Sequence, residues 1–230
     1  MPTTGFAIAV FEFVILIFSL SFHECAHAWM ASRLGDQTAR LQGRVTLNPM
    51  YHVDPIGTLL FPALMIFGPL LGAGRFAGAL IGWAKPTPVI TRNFTNIKRD
   101  DNLTTLAGPV SNLLLALGGF LGLVVVILAT RNLPSQQNAF NSGVDALAVL
   151  CELAVQVNLS LFFFNLLPIP PLDGSHVVRN YLPYNAVNAF DRIGILSYIL
   201  MFVIGGPVVG FLMGPTMKMI YLVLDRIQGR

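Results

Sequence analysis

The chain has 230 residues, of which 54% are hydrophobic and 11% charged, and its mean hydropathy is +0.68. Soluble domains hold roughly 45–50% apolar and 25% charged residues, so this composition excludes a soluble protein and describes an integral membrane protein. A net charge of +3 is too small to point to nucleic acid, and Cys25 and Cys151, both inside apolar segments, do not make a disulfide framework.

The first apolar run, Phe6 to Met30, is long enough to span a bilayer, which takes roughly 20 residues at 1.5 Å each. No Lys or Arg precedes it and no small-residue cleavage site follows, so it reads as a retained span. Its only ionisable members are Glu12, His23, Glu24 and His27, the last three within "SFHECAHA" at 21–28. On a helix, positions i and i+4 share a face, so His23 and His27 can aim two imidazole nitrogens at one Zn²⁺. Glu24 stands beside them as a base for activated water rather than as a ligand, the HExxH arrangement of zinc hydrolases. The plain alternative is a polar helix end that snorkels to the interface, but ionisable groups inside a membrane are costly and mark functional sites by default. Glu12 precedes His23 by about three turns, or roughly 16 Å along the axis; it either lines a hydrated path outward from the metal or reaches the outer headgroups.

A polar loop follows at 33–55. Its "YHVDP" offers His52 and Asp54, which in such a setting cap a turn more often than they bind metal. The segment 56–83 has 28 residues with Pro62, Pro69, a glycine-rich centre and Arg75, and it reads as a ragged span or a re-entrant hairpin. In 84–93, "AKPTPVITRN" is a candidate extended segment for pairing with an unwound substrate, restricted to an edge by Pro86 and Pro88, or else an irregular loop. The next span, 103–130, is opened by Asp100, Asp101 and Asn102 as candidate N-caps and closed by Arg131 and Asn132. A further span, 145–167, ends at the "PIPP" of 168–171, because proline lacks an N–H and clashes with the preceding turn; Asn158 and Asn165 share one of its faces. The tail from 187 to 227 is too long for one crossing, and Gly205-Gly206-Pro207 breaks it into two shorter spans. Trp29 and Trp83 read as interfacial anchors.

A catalytic zinc needs a third protein ligand and an open position. The pattern HExxHxxGxxH fails, since Met30 and Arg33 stand where Gly and His are needed, and Glu12 and Glu152 are the only other glutamates. The candidates left are His52, Asp54, Asp173 and His176. Asp173 is the best of them, because it lies in "NLLPIPPLDGSH" at 165–176, where prolines unwind a membrane helix; such backbone is tolerated only inside protein or beside a wet cavity. His176 is the runner-up, or a group that orients Asp173.

"HECAH" in an early span, "AGPVSN" at 107–112 and "NLLPIPPLDG" at 165–174 together resemble the site-2 protease family of intramembrane zinc metalloproteases. The resemblance covers about residues 5–180. It implies that His23, His27 and Asp173 bind zinc, that Glu24 is general base and acid, and that Asn165 helps to position the substrate backbone. It also implies a membrane-spanning protein substrate cut within or near the lipid bilayer. The chain has no insert like the PDZ domain of many members, so it resembles a minimal form, and "DGS" replaces the frequent "DGG". The expected fold is an all-α polytopic membrane protein. It would be a bundle of about five to six transmembrane helices with a re-entrant hairpin and a small extended segment. The chain is read as one membrane-embedded peptidase domain over 1–230, with the C-terminal helices at 187–227. The alternative is a membrane metal-binding or transport protein without protease activity.

Zinc geometry constrains topology. Spans 6–30 and 145–167 must run the same way and 103–130 the other, so 56–83 cannot cross once. Arg33, Arg40, Arg44, Lys85, Arg92, Lys98, Arg99 and Arg179 then share one side against Arg131 on the other. The positive-inside rule makes the first side cytoplasmic, and two spans after 187 would return Arg226 and Arg230 to it. The expectation is a multi-pass protein of the cell membrane with its active site toward the cytoplasm.

Overall fold

A computed structural model describes residues 2–72, 84–130, 139–192 and 194–228. Among them all regular structure is helical: α1 Pro2–Arg33, α2 Thr38–Leu41, α3 Phe61–Phe67, α4 Ile97–Thr130, α5 Ala139–Asn165, α6 Asp173–Arg179, α7 Tyr184–Asp191, α8 Ile195–Leu200 and α9 Gly206–Gln228. Among the described residues four helical stretches are long and apolar enough to cross a bilayer, namely Gly5–Arg33, Ile97–Thr130, Gly143–Asn165 and Val203–Gln228. This is an all-α polytopic membrane protein.

Helix α4 is the centre of the bundle and packs along both α5 and α1. It begins six residues before the expected start, because Asn96 caps it. Asn96 Oδ1 accepts the Arg99 N–H at 3.2 Å, while Asp100 Oδ2 accepts the Asn96 N–H at 2.8 Å, the reciprocal exchange of a capping box. Asp100, Asp101 and Asn102 therefore lie inside the helix rather than at its cap. Helix α5 stops at Asn165, where the proline run makes further helix impossible.

Between α1 and α4 the chain dips into the bundle. Asp54 caps the descent by accepting the N–H groups of Ile56 and Gly57 at 3.0 and 2.7 Å. A widened π-turn, Pro55–Leu60, leads into α3 and a 3-10 turn at Gly68–Leu71. The run follows α1 toward its N-terminus: the Phe67 ring lies 5.9 Å from Phe13 and 5.7 Å from Phe6. Residues 73–83, with Arg75 and Trp83, lie outside the described ones. The Lys85 N–H donates to the His52 carbonyl at 2.8 Å, so the loop before Pro55 and the stretch that starts at residue 84 lie side by side. The 84–90 stretch that follows is neither helix nor paired strand.

The tail differs from its expectation. Helix α8, a π-turn at Met201–Gly205 and α9 follow one another without a gap, giving one rod in place of two shorter spans. Both π-turns lie just upstream of a proline, Pro62 and Pro207. Proline cannot donate to the carbonyl four residues back and crowds it; a turn widened by one residue absorbs that conflict and lets the helix continue. The rod runs antiparallel to α5. At its start a Cβ on Gly205 would lie 3.2 Å from the Phe164 ring, and farther along the Tyr221 hydroxyl donates to Glu152 at 2.5 Å. Arg226 thus lies at the end of the bundle opposite to the 33–55 loop, not on its side.

Candidate metal centre

Near the C-terminal end of α1, the i, i+4 spacing brings His23 and His27 onto one buried face, with their Nε2 atoms 3.0 Å apart. Asp173, the first residue of α6, reaches them from across the bundle. Its Oδ2 lies 3.1 Å from His23 Nε2 and its Oδ1 3.5 Å from His27 Nε2. The three residues form a group whose candidate ligand atoms all lie within 4.8 Å of one another.

Backbone carbonyls decide where the imidazole protons sit. The Thr104 carbonyl, 2.8 Å from His27 Nδ1, can only accept, so Nδ1 carries the proton and Nε2 a lone pair. His23 Nδ1 lies 2.6 Å from Asn112 Oδ1. The orientation of Asn112 follows from its other contacts: Nδ2 donates to the Ser19 carbonyl at 3.4 Å and to Asn158 Oδ1 at 3.1 Å. Asn158 is oriented in turn by donating to the Ala154 carbonyl at 2.9 Å. Asn112 therefore presents oxygen to His23, and that Nε2 is a lone pair as well.

Two nitrogen lone pairs and a carboxylate crowded together repel one another unless a cation lies between them. Asp173 Oδ2 is buried and satisfied by no hydrogen bond of good geometry, which is what a ligand awaiting a metal shows. Space for the ion comes from α4: a Cβ on Gly108 would lie 2.3 Å from His27 Nε2 and 2.6 Å from His23 Nε2. Two imidazoles and one carboxylate are a ligand set that suits Zn²⁺.

Asp173 is held from two sides. A Cβ on Gly174 would fall 2.2 Å from the Leu166 carbonyl oxygen, so only glycine lets α6 start this close to the end of α5. At the far end of α6, Asn180 donates to Asp101 Oδ2 at 2.6 Å and to Asn102 Oδ1 at 2.8 Å, tying the helix to α4.

Glu24 is buried beside the pair, and its Oε2 accepts the Thr87 N–H at 3.0 Å and lies 2.8 Å from the Thr87 hydroxyl. Asn165 stands half-buried at the end of α5, its amide donating to the Leu161 carbonyl at 2.9 Å. The other candidates lie elsewhere. His52 is buried with Nε2 on the Thr46 carbonyl at 2.8 Å, Asp54 caps a turn, and His176 is exposed outside the group. Among the described residues Glu12 makes no hydrogen bond or ion pair.

Sequence reading did not single out Asn112, Thr104, Gly108 or Thr87. Spacing along one chain says nothing about which residue of a neighbouring helix meets a histidine. Gly108 and Asn112 entered only as members of "AGPVSN", with no role assigned, and the physical signal for Asn112 was an asparagine in an apolar span, since such a side chain must find a polar partner.

A model of peptidase family M50 matches residues 11–206. The "Putative zinc metalloprotease YwhC" of Bacillus subtilis is 38% identical over 193 residues, 83% of this chain and 78% of that protein. The "Putative zinc metalloprotease Rip2" of Mycolicibacterium smegmatis is 32% identical over 178 residues, covering 76% of this chain and 59% of its own length. The protein of the same name from Mycobacterium tuberculosis H37Rv is 35% identical over 176 residues, 75% and 58% of the two chains. No solved structure matches.

Proposed function

This chain belongs to peptidase family M50 and is a membrane metalloprotease, and from that premise we propose that it is an intramembrane zinc endopeptidase of the site-2 type. The observation that carries the reading is the convergence of His23 Nε2, His27 Nε2 and the Asp173 carboxylate within 4.8 Å, with both Nδ1 atoms already engaged by Asn112 and Thr104. These three residues would hold the ion. Bound there, Zn²⁺ would supply Lewis acidity toward a peptide carbonyl and a nucleophilic water at neutral pH.

The chain's own groups do the rest. Glu24 takes the proton of the attacking water and returns it to the leaving amine, acting as base and then acid. Asn165, at the unwound end of α5, holds the backbone of the substrate. The substrate is a membrane-spanning protein segment, opened locally because its carbonyls are otherwise occupied by its own helix. Residues 1–230 act as one membrane-embedded peptidase domain.

The reaction takes place toward the cytoplasmic side of the cell membrane. Arg33, Arg40, Arg44, Lys85, Arg92, Lys98, Arg99 and Arg179 gather at the end of the bundle that carries the histidines, and the asymmetry survives moving Arg226 to the other end.

The test is zinc analysis of the purified protein combined with cleavage of a model transmembrane peptide. Wild type should bind one zinc per chain and cut the peptide, chelation should stop cleavage, and added zinc should restore it. Glu24→Gln should keep the zinc and lose the cleavage. A Glu24→Gln protein that cuts as well as wild type would overturn Glu24 as the base, and a wild type that binds zinc but cuts nothing would leave the metal-binding or transport reading.

A further inference from the structure

The segment 84–90 has no regular structure, yet it is fastened at both ends by buried side chains. Arg44, only 5% exposed, has no acidic partner among the described residues. Its guanidinium donates to the carbonyls of Tyr51, Lys85 and Pro86, the last two at 3.2 and 2.7 Å. Asp36, fully buried, accepts the Ile90 N–H at 2.7 Å and the Asn93 amide at 2.8 Å. Burying a lone guanidinium and a lone carboxylate is costly unless their hydrogen bonds are met, and here each spends part of its hydrogen bonding on this stretch of backbone, Arg44 on Lys85 and Pro86 and Asp36 on Ile90, the rest going to Tyr51, Thr38 and Asn93.

Between the two fastenings lies Pro86-Thr87-Pro88. The prolines have no N–H, so Thr87 supplies the only backbone donor of the three, and it points at Glu24 Oε2 at 3.0 Å. The Thr87 hydroxyl lies 2.8 Å from the same oxygen and 3.1 Å from the Glu24 carbonyl. No described residue hydrogen-bonds Oε1.

We propose that Thr87 is a positioning residue for Glu24: it captures Oε2 with two donors and leaves Oε1 as the oxygen that takes and returns the proton. The proposal rests on the reading of Glu24 as the base. A glutamate side chain has three rotatable bonds, and a catalytic group displaced by about 1 Å loses on the order of a hundredfold in rate. Two donors on one oxygen remove that freedom without consuming the other oxygen. The arm at 84–90 is on this view a rigid support rather than a strand offered to the substrate.

The experiment compares wild type, Thr87→Val, Thr87→Ser and Glu24→Gln as full chains in liposomes, reading zinc content, thermal midpoint, and kcat and KM on a quenched fluorescent transmembrane peptide. Thr87→Val keeps the shape and the N–H but loses the hydroxyl. It should lower kcat roughly 10- to 30-fold, the scale of one hydrogen bond to a charged group, with KM and zinc content unchanged. Thr87→Ser should restore kcat to within about twofold of wild type. In the Glu24→Gln background, Thr87→Val should add no further loss. Should Thr87→Val unfold the chain, Thr87→Ala supplies the same comparison against Thr87→Ser.

Four results would overturn the proposal: an unchanged kcat in Thr87→Val; a rise in kcat there, which would make the contact a brake; a change in KM alone, which would make the arm a substrate contact; or an equal loss in Thr87→Ser. The two readings fail separately. If Glu24→Gln cuts normally the base assignment falls, whereas if Glu24→Gln is inactive and Thr87→Val is silent only the positioning role falls.

Discussion

Gly108 and Gly119 lie three turns apart on α4, and each brings that helix against a neighbour where a side chain would not fit. At Gly108 the missing Cβ leaves room for two imidazole nitrogens of α1 and the ion they would share. At Gly119 it lets the helix backbone approach α5, where a Cβ would lie 2.9 Å from the Cys151 carbonyl oxygen and 3.1 Å from Val155. Around Gly119 the contacts are apolar, with Ala116, Leu123, Val155, Leu159 and Leu224 packed together. Around Gly108 they are polar and directional, through Asn112, Asn158 and the Thr104 carbonyl. In lipid, apolar surface gains nothing by leaving the solvent, so close packing of small residues holds the one end, while directional hydrogen bonds fix the other. One half of the helix holds the bundle together and the other half holds a geometry.

Substitutions at the two positions should therefore fail in different ways. The largest effect is expected for Gly108→Ala. The new methyl would compete with the metal for its space, and peptide cleavage should fall by about three orders of magnitude or more, the scale of losing a catalytic group. Zinc analysis should find the site empty, and the thermal midpoint should move little from that of wild type stripped of its metal. A Gly108→Ala protein that retained zinc and activity would erase the distinction.

Next is Asn112→Leu, which removes the acceptor from His23 and strands the Asn158 amide oxygen. Loss of such a hydrogen-bonded support weakens metal binding by roughly 10- to 100-fold, measurable by competition with a chelator. Asn112→Asp, which still offers an oxygen, should recover part of it. Gly119→Ala should do the reverse, costing about 1–3 kcal/mol of stability by overpacking while the folded fraction keeps one zinc per chain. Chelator competition and thermal melting on the same samples separate the two outcomes.

The smallest expected effect concerns the arm over Glu24. Burial raises the Asp36 carboxyl, but the N–H of Ile90 and the donors of Thr38 and Asn93 outweigh it, and the group is held below its ordinary value of 3.8. A lowered folded pKa means that its contribution is complete above that ordinary value and is lost as the pH falls from there through the lowered folded value. The protection of the Ile90 amide against hydrogen exchange, taken relative to its intrinsic rate, should decline below about pH 4 in wild type, and Asp36→Asn should remove that decline.

The sequence made one part of this legible and concealed another for a physical reason. His23, Glu24 and His27 could be read from helical spacing because the helix itself guarantees their shared face. Asp173 could be read because prolines and a glycine strip an apolar segment of its helix and leave an acid behind. Asn112 and Thr87 could not, since each reaches its partner across a helix–helix or loop–helix contact that no local period encodes. Arg44 looked like one more positive charge on the loop side, although it is buried and organises the arm. The tail misled because Gly205-Gly206-Pro207 has the composition of a break, while the chain takes a widened turn that keeps the rod whole. Asp100 looked like a cap because it is an acid at the edge of an apolar run, and Asn96, one turn earlier, had already closed the helix.

The oxygen that settles the tautomer of His27 belongs to a peptide group, that of Thr104, whereas the one that settles His23 belongs to the side chain of Asn112. Every codon specifies a residue with a carbonyl, proline included, so no point mutation can delete the first. Drift in this gene can shift or tilt that acceptor but cannot remove it, so one imidazole of the pair is anchored in the part of the polymer that heredity does not vary and the other is exposed to a single codon.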